Sequence, residues 1–231
     1  MQRTFVPLVL TLLFSPGLAH AQAAKSYPVM APLSQYLIAD RNAEIALARS
    51  AAPASISDHA EVLVLTQHGY ETAVKGTNGF VCFVERGWTK APDDPDFWNP
   101  RIQAPFCINA PAAETYLPIT VLKTQLALAG KSSSEIGAQV GAAFDQKKLP
   151  PIARGAMCYM MSKQGHLSDA DGHWRPHLMF FAPLVKAETW GANADGSPLF
   201  ASEDPLDRVT IFMVPVGHWS DGSLDTAGMH H

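Results

Sequence analysis

Between Gly155 and Phe181 the chain gathers Met157, Cys158, Met160, Met161, His166, His173, His177 and Met179, its densest run of soft-ligand and nucleophilic side chains. Two apolar runs flank a polar stretch, Ser168 to Gly172, and this is the pattern of a β-hairpin. Strand alternation sorts the reactive groups by face. Cys158, Met160 and Ser162 share one side, and Met157, Tyr159 and Met161 share the other. On the returning strand Arg175, His177, Met179 and Phe181 oppose Leu178 and Phe180.

Register decides what these residues would do. Pairing Met160 with His177 brings Cys158, Met160, His177 and Met179 together, a soft set suited to copper. A slip of one residue puts Leu178 and Phe180 beside Cys158 instead and sends His177 to the opposite side. A second set is His166, Asp169, Asp171, His173, His177 and, if the last strand lies alongside, His218. Neutral imidazoles with a carboxylate and an open position suit zinc-activated water, with His166, His177 and His218 as ligands. The catalytic candidates are then Asp171, His173 and His177. Cys158 as a nucleophile with His177 as its base is a third arrangement. Against these, the Asp residues of 168–172 have an ordinary role in turn chemistry, and strand Met and Cys usually fill core gaps. A non-catalytic alternative has the five Trp (Trp174 and Trp219 foremost), Phe180-Phe181 and a Pro-rich covering loop line an apolar cleft, with Arg175 or Arg86 as polar anchor.

No G-x-S-x-G, Walker A, G-x-G-x-x-G, His-Glu-x-x-His or Cys-x-x-Cys pattern occurs, so no motif fixes a reaction. The expected function is small-molecule ligand binding. Metal-dependent (Zn) hydrolysis through the His and Asp residues of 166–177 is the alternative, with copper binding behind it. Whether the chain is an enzyme stays open.

The start of the chain bounds the compartment. Met1-Gln2-Arg3, an apolar stretch of about ten residues and Ala19-His20-Ala21 read as a signal peptide over 1–21 of the bacterial export type. The apolar run is shorter than the ~20 residues of a spanning helix, and no later stretch is long enough. The expected location is therefore periplasmic or extracellular, with no membrane span once the leader is gone. Losing Arg3 takes the formal net charge from −4 to −5 (−4 − 1), which leaves no basic footprint for nucleic acid. With 47% hydrophobic and 16% charged residues, the chain has ample material for a core. In an oxidising compartment three cysteines imply a bridge. Cys82–Cys107 closes the Pro-rich segment and leaves Cys158 as a buried thiol, while Cys82–Cys158 and Cys107–Cys158 remain open. A loop of this length makes the bridge worth about 3 kcal/mol.

The positioning elements follow from periodicity. Residues 22–32 read as an N-terminal arm, 33–224 as one α+β domain and 225–231 as a disordered tail. A first helix is expected over Ser34 to Ser50, with Asp40, Arg41, Glu44 and Arg49 on its wet side. Strands at 61–66, 70–75 and 80–86 form a meander, with Asn78-Gly79 as the turn into the third. Residues 88–109, with five Pro counted through Pro111, read as irregular; Asp93, Asp94 and Asp96 there suggest either a solvated loop or a Ca²⁺ site. Helices follow at 118–129, ended by Gly130, and from the capping box Ser132–Glu135 to Pro150-Pro151. In the second, Ile136, Val140, Ala143 and Phe144 form the apolar stripe, and Gly137 and Gly141 mark close packing. A last strand covers 208–216. Hairpin connections and segregated helices predict an α+β fold: a mostly antiparallel sheet with about three helices packed on it.

Overall fold

Every strand whose alternation points into a core joins one sheet. The computed structural model describes residues 27–170 and 174–226; the expected leader at 1–21, Asp171, His173 and residues 227–231 lie outside them. The strands are β1 (Glu61–Thr66), β2 (Gly69–Val74), β3 (Val81–Glu85), β4 (Ala104–Ile108), β5 (Met157–Met160), β6 (His177–Pro183), β7 (Phe200–Asp204) and β8 (Val209–Pro215). They form an eight-stranded open sheet in the order β2-β1-β3-β4-β5-β6-β8-β7. All pairings are antiparallel except β1 with β3. The helices are α1 (Arg41–Arg49), α2 (Ala54–Ser57), α3 (Ala110–Thr115), α4 (Leu117–Leu128) and α5 (Ser133–Asp145). The class is α+β, as the pattern predicts.

The meander is corrected. β3 does not pair with β2 but lies parallel to β1 on its other side. Asn78-Gly79 is not a hairpin turn: Asn78 donates to Ile56 O and accepts from Phe80 N, while the chain crosses the start of β1. Gly76 makes the crossing possible, because a Cβ there would sit 2.1 Å from Glu61 N.

The stretch 88–109 is also partly regular. Its end, Ala104–Ile108, is a fully buried central strand, β4, even though it contains Pro105. Pro105 pairs with Val84 on one side, and the β5 ladder reaches only Cys107 and Ile108, so no ladder is broken there by the missing N–H. Asp94 and Asp96 are occupied within the loop: Asp94 accepts from Asp96 N and Lys90, and Asp96 accepts from Asn99 and from Asp169 N.

The expected first helix is broken. Asp40 has extended backbone and accepts from Asn42 N, so it caps a helix that begins at Arg41. The capping box of α5 forms as expected between Ser132 and Glu135. That helix stops at Asp145, before Pro150-Pro151, through a left-handed residue at Lys147 (φ 58°). Gly137 is a close-packing point, since a Cβ would meet Pro92 and Leu206 at 2.7 and 2.9 Å; Gly141 faces open space.

The two faces of the sheet hold separate cores. Phe83, Phe106, Ile108, Cys158, Met160, Met179 and Phe181 pack beneath α3, α4 and α5. Val62, Cys82, Val84 and Cys107 pack beneath α1. Cys82 and Cys107 are direct cross-strand partners and are joined as a disulfide, leaving Cys158 free and buried.

The end of β3 fastens both layers. Arg86, fully buried, donates from Nε to Tyr36 O at 2.7 Å, from Nη1 to Val84 O at 2.7 Å and from Nη2 to Glu44 Oε1 at 3.0 Å. Glu44, expected on a wet helix face, is buried and also accepts from Leu65 N at 3.0 Å. Removing one partner of such a pair strands a charge in the core. Glu44→Ala is therefore expected to cost about 3–5 kcal/mol in urea unfolding, whereas Glu188→Ala on the surface should stay within about 0.5 kcal/mol. A cost near zero for Glu44→Ala would show that the pair does not hold α1.

Candidate functional site

The hairpin has the register that gathers its sulfur groups. Met160 pairs with His177, Tyr159 with Leu178, Cys158 with Met179 and Met157 with Phe180. Cys158, Met160 and Met179 are 0%, 4% and 7% exposed beneath the helices, with Met213 opposite Met179 on β8. Burial pushes the Cys158 thiol well above its ordinary range, with the Glu85 carboxylate adding to the rise, so the thiolate is disfavoured. His177 lies at the open end of this strip. Its Nδ1 donates to Arg175 O at 2.8 Å, and desolvation lowers its pKa, so the ring is neutral with Nε2 as the lone-pair nitrogen.

The other sequence candidates divide into two groups. Trp174 stands edge-on to His177 at 5.7 Å and to Trp219 at 5.9 Å, so these three rings form one cluster at the sheet end, with Arg175 exposed beside it. His166 is placed elsewhere: its Nε2 lies 3.0 Å from Asp169 Oδ1. Asp169 also accepts from Tyr27 at 2.7 Å and Asn99 at 2.9 Å and pairs with Arg101. Partial burial alone would raise the Asp169 pKa, but these hydrogen bonds outweigh it and hold the carboxyl well below its usual range. His218 is exposed and bridges to Leu224. Among the described residues no three His, Cys, Asp or Glu side chains converge as metal ligands. Phe180 and Phe181 face opposite sides, Phe180 half exposed and Phe181 buried. Arg86 is fully buried in its pairing with Glu44 and the Tyr36 carbonyl.

Two features were not anticipated from the sequence. The first is a buried charge cluster on the helix side. Lys123 of α4, 2% exposed, contacts Asp207 Oδ2 at 2.5 Å and Thr89 O at 3.0 Å. Glu85 of β3 accepts from Thr120 at 3.1 Å and Thr89 at 3.2 Å. Desolvation, against those bonds and Lys123, raises Glu85 to about 7 and raises Asp207 as well. Asp207 Oδ1 is buried with no hydrogen-bond partner. The available signal was Lys123 itself, the lone charge in Leu117–Leu128.

The second feature is a groove of about 670 Å³, within the usual range for small-molecule sites. Phe144, Leu149, Pro150, Pro151, Ile152, Pro183, Leu184 and Pro205 line it, with Lys147 and Arg208 at its rim. Four elements meet there: the end of α5, the segment after it, the end of β6 and the turn between β7 and β8. The Lys123–Asp207 pair positions that last turn, and Asp204 Oδ1 accepts from Leu206 N and Asp207 N within it. Arg208 follows directly, pairing with Asp145 and lying 5.3 Å over the Phe144 ring. Four prolines scattered from 150 to 205 give no periodic signal, which is why the groove was invisible in the sequence.

Neither a family model, nor a curated protein, nor a solved structure matches this chain.

Two outcomes test this electrostatic picture. Glu85 binds a proton more tightly folded (about 7) than unfolded (4.5), so its contribution falls as pH rises between those values and then levels off. Stability should drop by about 3 kcal/mol across that window from Glu85. Glu85→Gln should flatten the slope in chemical denaturation at pH 5 to 8; an unchanged slope would place the proton elsewhere. Native protein should leave Cys158 unreactive toward an aromatic disulfide reagent and release one thiol in urea, whereas full reaction before unfolding would show an accessible thiol.

Proposed function

We propose that this protein is an exported small-molecule-binding protein whose ligand lies in the groove between α5, the 147–152 segment, β6 and the β7–β8 turn. The observation that carries this reading is the groove: about 670 Å³, walled by proline, leucine, isoleucine and phenylalanine. Four of its wall residues are prolines, which have no N–H to donate and keep their shape without a ligand, so little ordering cost falls on binding. Export is supported by the leader-like residues 1–21 and by the buried Cys82–Cys107 bridge, which suits an oxidising compartment. No helix among the described residues is long and apolar enough to cross a membrane.

A neutral apolar fluorophore such as N-phenyl-1-naphthylamine tests the site. It should bind saturably, one per chain, with emission shifted to the blue. Leu184, 44% exposed at the groove, tolerates enlargement, so Leu184→Trp should weaken binding at least tenfold with an unchanged melting temperature. Leu224→Trp, at an exposed position outside the groove, should leave binding intact. Equal binding by both variants and the parent would sink the proposal.

A further inference from the structure

The backbone at the rim of the groove says more about the ligand than its walls do. Among the described residues, three that are not glycine have left-handed φ: Lys147 (58°), Asn193 (60°) and Arg208 (53°). Asparagine tolerates this conformation, but lysine and arginine do not adopt it readily. The two strained residues are thus the two cations of the groove.

The same chain shows what Lys147 would be if only the fold mattered. Helix α4 ends with Gly130 N donating to Ala127 O at 2.9 Å and Lys131 N donating to Leu126 O at 3.1 Å. Helix α5 ends in the same way, with Lys147 N donating to Phe144 O at 2.9 Å and Lys148 N donating to Ala143 O at 2.8 Å. Both are glycine-type helix stops with the left-handed residue one past the cap. In α4 that residue is Gly130 (φ 73°); in α5 it is Lys147. A cation near a helix C-terminus gains a little from the dipole, but it would gain as much in the last turn without strain. Strain retained at one place and avoided at the equivalent place points to a use for the side chain. Among the described residues the Lys147 side chain has no hydrogen-bond or ion-pair partner. Arg208 is held over Phe144 and has its one ion pair with Asp145, whose side chain is 72% exposed.

We infer that the groove takes a free single-chain carboxylate of medium length, its alkyl body along the proline wall and its carboxylate between Lys147 and Arg208. This rests on the groove being the binding site. Wall side chains without donors leave a ligand's polar recognition to the rim, where the two lining charges are positive, that of Arg208 shared with Asp145. A planar guanidinium and an ammonium together match one carboxylate.

Calorimetric titration of the full chain with decanoate, decanol and decyltrimethylammonium, each as monomers in solution, tests the assignment. Decanoate should bind one to one, decanol at least tenfold more weakly, and the cationic amphiphile without saturation. Lys147→Gly should raise the melting temperature by relieving the left-handed strain while weakening decanoate at least tenfold and leaving decanol unchanged. Equal affinity for decanoate and decanol would overturn the headgroup assignment while leaving the groove as a site. No binding of any of the three would remove the groove as well. A Lys147→Gly variant that is more stable yet binds decanoate normally would make the lysine a bystander. Binding to phosphatidylglycerol vesicles without saturable decanoate binding would also overturn the assignment, because the ligand would then be a membrane surface.

Discussion

Two neighbouring residues, Glu85 and Arg86, fasten the layers of this molecule together. The extended chain turns them to opposite sides of the sheet. Arg86 crosses to the α1 side and takes the Glu44 carboxylate along with two backbone carbonyls. Glu85 faces α4, where Thr120 and Thr89 bond it and Lys123 offsets its charge. Buried charges add little net stability over well-packed apolar groups, and breaking one partner costs several kcal/mol, about 3–5. Such pairs select an arrangement more than they strengthen it. Here they determine which helix lies on which face.

The candidate site inherits that arrangement through one further link. Lys123 is shared between the Glu85 environment and Asp207, and Asp207 belongs to the turn that ends in Arg208. The turn cannot shift without withdrawing the Asp207 carboxylate from Lys123, which would leave the ammonium buried without its counter-charge. Leu206, next to it, fits against α5 only because position 137 is glycine. The groove is therefore bounded by an α5 terminus and a turn that are both held from below. A wall of prolines on such supports is preorganised, which is the condition for an apolar groove to bind a small ligand rather than collapse.

Periodicity made legible whatever depends on one segment alone. The β5–β6 pairing, the α5 stripe and capping box and the last strand all follow from local patterns, and so did the α+β class. Partner choice was less readable. Asn78-Gly79 has the composition of a tight hairpin, but β1 was already paired with β2 on one edge and offered β3 its other edge. Glu44 looked wet because Asp40, Arg41 and Arg49 lie near it in the chain, and the distant Arg86 and Leu65 N–H explain its burial. The groove lies outside any periodic reading, since its walls come from segments up to about sixty residues apart (144 to 208) and act through shape.

The sheet also explains how the chain can hold an odd cysteine next to a disulfide. Cys158 pairs with Ile108, the residue immediately after Cys107. In sequence register the thiol and the bridge are one step apart, close enough to suggest exchange. Alternation places them on opposite faces: Cys107 under α1 and Cys158 under the other helices. Disulfide exchange requires a thiolate in line with a sulfur. Here the backbone of the sheet stands between the two, and burial beside the Glu85 carboxylate keeps the thiol protonated. The same parity that fills one face with Cys158, Met160 and Met179 thus removes the thiol from redox chemistry. The concentration of sulfur in the hairpin is then a property of the core.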